Sequence, residues 1–228
     1  MKIAKNVEMI ELAGAQGSMY PVLVRDDRNV ILVDTGLPGQ LELIRAGVEQ
    51  TGHSLSQITA ILLTHHDMDH IGNAKVIREH GAKVMAHEKE IPYIQGDAPS
   101  PKLTTLEERL KNASPEERAM YERLKANTNL HVHVDAMLKD GETLPFCGGI
   151  EIIYTPGHTP GHICVWLKDS NILITGDAAN ISNGELTGPN PRHTLDMVKA
   201  EESFEKLKKL HPDFIVCYHG GLLRSLPK

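Results

Sequence analysis

Cysteine is scarce in this chain and badly spaced for covalent or thiolate chemistry. Cys147, Cys164 and Cys217 are odd in number, lie far apart and form no CxxC pair. Neither a disulfide framework nor a thiolate zinc knuckle is indicated, and reduced core thiols are expected. Long hydrophobic runs are missing too: no stretch approaches the roughly 18 apolar residues of a membrane span. At the amino end, Glu8 and Glu11 interrupt the apolar residues that a signal-peptide core would need. A soluble, cytoplasmic chain with no membrane partner is expected. Positive charge is in deficit, since 24 basic against 30 acidic residues leave a formal charge of −6. That balance weighs against a general binder of nucleic-acid backbones. No GxSxG is present, so no serine elbow competes for a nucleophilic role.

What the chain has is a core and histidine. Its 228 residues, 40 % hydrophobic, can bury a sizeable interior as one domain spanning residues 1–228. The 13 histidines fall at glycine- or aspartate-rich junctions rather than in one run. YPVLVRDDRNVILVDTG (20–36) reads as two strands around the turn Asp26-Asp27-Arg28-Asn29. HICVWLKDSNILITGD (162–177) repeats that plan around Lys168-Asp169-Ser170-Asn171, a weak internal repeat in which each half ends a strand at an aspartate beside glycine.

Between them, PGQLELIRAGVEQTG (38–52) predicts a helix, ITAILLT (58–64) a short buried strand, IGNAKVIREHG a helix and AKVMAHE a strand, an α/β order. Residues 99–128, with Leu103, Leu106 and Leu110 at helical spacing among charges, predict a helical insertion. Met197, Ala200, Phe204 and Leu207 share one helical face, and DFIVCYHG (213–220) is a last strand ending in His219.

Every chemistry-bearing residue therefore sits at a strand end. Four segments offer imidazole and carboxylate donors: His65, Asp67, Asp69 and His70 in THHDMDH, His158 in TPGHTPGH, Asp177 in TGDA, and His219 in CYHGG. Seven such donors exceed the needs of one tetrahedral ion. They suit two divalent ions about 3.5–4 Å apart with a carboxylate and a hydroxide between them.

The order VDTG, THHDMDH, TPGHTPGH, TGDA, YHG, running from residue 33 to 220, resembles the five successive motifs of the metallo-β-lactamase superfamily. That resemblance implies an αββα sandwich of two β-rich halves with a dinuclear site at the sheet edge. It implies that His65, position 67 and His158 hold one ion, that Asp69, His70 and His219 hold the other, and that Asp177 bridges them. Asp34 resembles the family's buried aspartate that orients the metal loops. The chain departs from the usual HxHxDH at Asp67, giving HxDxDH. A carboxylate there is a harder and more negative donor, so iron or manganese joins zinc as an expected metal.

Other residues are weighed against ordinary packing. His66, adjacent to His65, should point elsewhere, and His162 begins an apolar strand. His131 and His133 in HVHVD fit a solvated strand face, and Cys217 fits the core. Tyr218, Tyr93, Asn180 and His193 lie near the expected rim, where packing is the commoner role of such residues. The inserted segment fits a cover over the site or a contact between subunits of a homo-oligomer.

The expected function is a metal-dependent hydrolase acting on a small ester, lactone or thioester. A metal-bound hydroxide attacks, and Asp69 and Asp177 serve as catalytic carboxylates, Asp69 holding or accepting the proton. TPGHTPGHI is similar to segments of both N-acyl homoserine lactonases and glyoxalase II thioesterases. Two alternatives stand beside this reading. A carboxylate-rich di-iron redox protein is one, although its flavodoxin partner domain does not fit in 228 residues. A phosphodiesterase or nuclease is the other, against the acidic charge.

Overall fold

The structure is a computed structural model that describes residues 1–14, 17–103, 114, 115, 118, 119, 122 and 130–225. Two large sheets dominate, and each runs in chain order. The first lines up Lys2–Ala4, Val7–Met9, Val22–Arg25, Val30–Val33, Ala60–Leu62, Lys83–His87 and Ala136–Leu138, antiparallel to Val30–Val33 and parallel beyond it. The second lines up Thr143–Leu144, Ile150–Tyr154, Ile163–Leu167, Ile172–Ile174, Phe214–Cys217 and Gly221–Arg224. Its one parallel pair joins Ile172–Ile174 to Phe214–Cys217.

The period-two alternation of β side chains decides what each strand buries. Val22, Val24, Ile31, Val33, Ala60 and Leu62 face Ile150, Ile152, Ile163, Val165, Ile172 and Val216 in one core between the sheets. Their neighbours Leu23, Leu32, Ile61 and Leu63 point the other way, against helices α1 (Leu41–Glu49), α2 (Met68–Ile71), α3 (Ala74–Glu79) and α4 (Ile91–Gln95). On the far side of the second sheet, Ile153, Cys164 and Leu173 pack on Leu207 of helix α5 (Met197–Lys208). Strands buried on both faces must be continuous apolar runs, which is how VILV and AIL read. The result is the expected αββα sandwich.

The internal repeat is real. Val22–Arg25 turns into Val30–Val33 with Arg25 opposite Val30, and Ile163–Leu167 turns into Ile172–Ile174 with Leu167 opposite Ile172. Each second strand then gains a parallel neighbour. In the first turn Asp26 Oδ1 accepts the backbone N–H groups of Arg28 and Asn29 at 2.8 and 2.7 Å. Its Oδ2 accepts the N–H of Cys147 at 2.8 Å, tying one half to the other.

Two local expectations need correction, and a third falls largely beyond the described residues. IGNAKVIREHG does not continue one helix: α2 stops at Ile71 and α3 starts at Ala74. A Cβ on Gly72 would sit 2.3 Å from the carbonyl oxygen of Gly36, and Asn73 Nδ2 donates to the carbonyls of Thr35 and Leu37 at 2.6 and 2.8 Å. Tertiary contact with the loop after Asp34 therefore sets the break. HVHVD alternates exposed His131 and His133 with buried Val132 and Val134 as expected, but ladder pairing begins only at Ala136. Within segment 99–128, residues 101–103 are helical, and most of the expected insertion lies outside the described residues.

Candidate metal centre

All four donor segments reach one edge of the sandwich because each follows the carboxyl end of a strand: Ala60–Leu62, Ile150–Tyr154, Ile172–Ile174 and Phe214–Cys217. Three groups of donor atoms lie within 4.8 Å of one another: His65, Asp67 and His158; Asp69, His70 and His219; His65, His70 and Asp177. The first two are the sets that the motif order implied. Asp177 turns one oxygen to each: Oδ1 lies 3.4 Å from His70 Nε2 and 3.5 Å from His219 Nε2, and Oδ2 lies 3.4 Å from His158 Nε2.

The supporting residues explain why these side chains point inward. Asp34 adopts φ 61°, a left-handed conformation that costs a non-glycine residue about 1 kcal/mol. There its buried carboxylate accepts from the N–H and hydroxyl of Thr64, both at 2.8 Å, and meets His70 Nδ1 at 2.8 Å. That contact fixes the His70 ring with Nε2 facing the site. Asp67 opens helix α2 through its carbonyl, which accepts from the His70 N–H, and its side chain makes no cap. The carboxylate is therefore free to face the centre.

Several side chains given alternative readings prove structural. His66 turns away: its Nδ1 pairs with Glu90 Oε2, and its Nε2 is 2.8 Å from Ser100 Oγ. His162 is buried, with Nδ1 on Thr155 Oγ1 at 2.9 Å and Nε2 accepting the Asp177 N–H at 3.0 Å. Burial and the neighbouring His158 push its pKa well below the usual imidazole range, which keeps Nε2 an acceptor. Tyr218 is a buried clamp rather than a substrate contact. Its hydroxyl donates to the Asp69 carbonyl at 2.6 Å and accepts from the Gly36 N–H at 3.1 Å. Cys217 does not share His219's direction, because the strand ends at Cys217 and the chain turns through Tyr218. Its thiol stays in the core beside Ile215, pushed by burial up to about 12.

Two residues escaped the sequence reading. Glu90, fully buried, joins two donor loops: its Oε1 accepts the Gly161 N–H at 2.5 Å and its Oε2 the His66 N–H at 2.9 Å. Lys102 brings its ammonium to Asp67 Oδ2 and to His158 Nε2, the latter at 2.9 Å. Neither belongs to a motif. Only a buried-strand-end argument for the HEKE segment would have raised Glu90, and nothing singled out Lys102 among its charged neighbours.

The charges divide the centre in two. Burial opposes a proton on His70, yet Asp34, Asp69 and Asp177 raise its pKa well above the usual imidazole range. Burial likewise opposes charge on His219, but Asp177 and Asp69 lift it to about 9. This side favours a cation. Burial and His70 push His65 well down. Burial would raise the Asp67 carboxyl, but Lys102 and then His65 hold it well below the usual carboxylate range.

These donors fit divalent ions. Among the described residues, His65 Nε2, His70 Nε2 and Asp177 Oδ1 are buried with no hydrogen-bond partner. Buried polar atoms are rarely left so, and three aimed at one point make a ligand-ready cluster. Beside it, a pocket of about 410 Å³ opens against Asp67 and Lys102, walled by Met68, Ile71, Tyr93 and Leu130.

The fold and this edge define a two-sheet sandwich that gathers histidine and aspartate donors at the strand ends. The chain belongs to the metallo-β-lactamase superfamily, whose profile matches residues 17–219. It is 32 % identical over 212 residues to the probable metallo-hydrolase YflN of Bacillus subtilis, covering 87 % of this chain and 78 % of that protein. It is also 26 % identical over 180 residues to the hydroxyacylglutathione hydrolase GloC of Haemophilus influenzae, covering 75 % and 71 %. A metallo-β-lactamase family protein of Thermus thermophilus shares the fold, with a TM-score of 0.78 at 22 % identity, covering 98 % of this chain and 76 % of that one. Among the described residues no helix is long and apolar enough to cross a membrane.

Proposed function

We propose that this chain is a metal-dependent hydrolase of a small ester, lactone or thioester. The observation that carries the reading is the convergence of seven donors from four strand ends, with three buried donor atoms left without partners. His65, Asp67 and His158 would hold an ion on one side, Asp69, His70 and His219 on the other, with Asp177 between. Zinc is the first candidate, and iron or manganese are alternatives that the extra carboxylate favours. When bound, such ions acidify water and polarise a substrate oxygen.

The protein residues do the rest. Asp34 and Thr64 hold the His70 ring, and the N–H of Asp177 on His162 aims its carboxylate at both donor groups. Asp69, about a quarter exposed at the mouth, would take a proton from the attacking water. The pocket beside Asp67 is large enough for a small acyl group and mostly apolar along Met68, Ile71 and Leu130. An acyl substrate is further supported by the Haemophilus influenzae relative, which is named as a hydrolase of hydroxyacylglutathione.

The test is a hydrolysis screen over acyl-thiols, acyl lactones and aryl esters, with chelated and metal-reloaded enzyme. Turnover of at least one class, lost with chelation and restored by zinc or manganese, is expected. Turnover that survives complete chelation refutes the metal role. Phosphodiesters run beside the acyl substrates as the contrasting class, and turnover confined to phosphodiesters refutes the acyl class.

A further inference from the structure

Asp67 adds a negative charge where the commoner motif has a neutral imidazole, and the structure answers that charge. Lys102 places its ammonium on Asp67 Oδ2 and 2.9 Å from His158 Nε2. Those two atoms are donors of the first group: Asp67 Oδ2 is 3.0 Å from His158 Nε2 and 3.3 Å from His65 Nε2. An ammonium that donates to the His158 Nε2 uses the same lone pair that an ion would need. Two cations sharing these donors would also repel at close range. The pair of Asp67 and Lys102 carries zero net charge, as does the imidazole whose position Asp67 takes. Asp69, on the other side, faces His70 and His219 at 3.7 and 3.1 Å.

We propose that Lys102 is the resident cation of the His65, Asp67 and His158 corner. The chain then holds one divalent ion tightly at Asp69, His70, Asp177 and His219, and takes a second only by displacing Lys102. This rests on the metal-centre reading above, and it makes metal number a property of a residue outside every motif.

The experiment titrates chelator-stripped wild type, Lys102→Met and Lys102→Arg with zinc alone and with manganese alone, by calorimetry and native mass spectrometry. Wild type should hold one ion tightly, with the second about tenfold or more weaker than in Lys102→Met. Lys102→Arg, which keeps the charge, should behave as wild type. Lys102 is partly exposed, so circular dichroism should find Lys102→Met folded. Should that variant fail to fold, Lys102→Gln removes the charge while keeping a polar side chain and should also take two ions tightly. Two ions bound with equal constants in wild type and Lys102→Met would overturn the proposal, as would Lys102→Arg behaving like Lys102→Met. No ion bound by any of these proteins would overturn the metal-centre reading and this one with it.

Discussion

Replacing Glu90 tests whether a residue outside every motif holds the centre together. Its carboxylate accepts two backbone N–H groups from different loops, His66 and Gly161, and also pairs with the His66 ring. Glutamine keeps the shape but offers one acceptor oxygen, so one of the two buried N–H groups would face an amide NH₂. An orphaned buried donor costs about 1–3 kcal/mol, and weakening of the remaining charge-assisted bonds brings the expected loss for Glu90→Gln to about 3 kcal/mol. For a chain of this size that corresponds to a melting temperature lower by roughly 6–12 °C. Because those loops carry His65, Asp67 and His158, affinity for the second, weaker ion should fall about tenfold as well. Calorimetric melts of stripped and metal-loaded Glu90→Gln check both. A stripped protein melting within about 1 °C of wild type would refute the claim that Glu90 bears this load.

Other expectations follow from the same geometry. His158→Ala, His219→Ala and Asp177→Ala should each abolish hydrolysis while the far-ultraviolet circular dichroism stays that of wild type, because these residues lie on loops beyond the sheets; full activity in any of them would mean the site is misassigned. Asp67→His should shift metal preference from manganese toward zinc, read as the ratio of the two dissociation constants. Gly72→Ala should destabilise by about 2 kcal/mol or more, since its Cβ would meet the Gly36 backbone at 2.3 Å, and chemical denaturation measures it. The Asp26 carboxyl pairs burial, which would raise its pKa, with the N–H of Cys147 and further bonds that outweigh it and set it below its ordinary value of 3.8. Its stabilisation is therefore present above about pH 4 and lost as the pH falls toward the lower folded value. Asp26→Asn should flatten stability against pH in that acid window, at a loss of about 1 kcal/mol near neutrality.

The linear chain was enough for the strands and the repeat, and it named the candidate donors that the structure brings together. VILV, AIL and FIVC are apolar on both faces and short, and strands between two layers must be so. The candidate donors were legible because each lies in the segment after a strand's carboxyl end, and strand order carries those segments to one edge. Residues whose roles depend on a partner distant in sequence were not legible. The helix breaks at Asn73 because its side chain reaches the carbonyls of Thr35 and Leu37, and position 72 must be glycine because Gly36 lies against it. Glu90 matters because residues 66 and 161 arrive beside it, and Lys102 because Asp67 and His158 do. Periodicity reports which face of an element meets the core, whereas a buried carboxylate or ammonium is explained only by the atoms it meets, and those atoms are chosen by the packing of the whole fold.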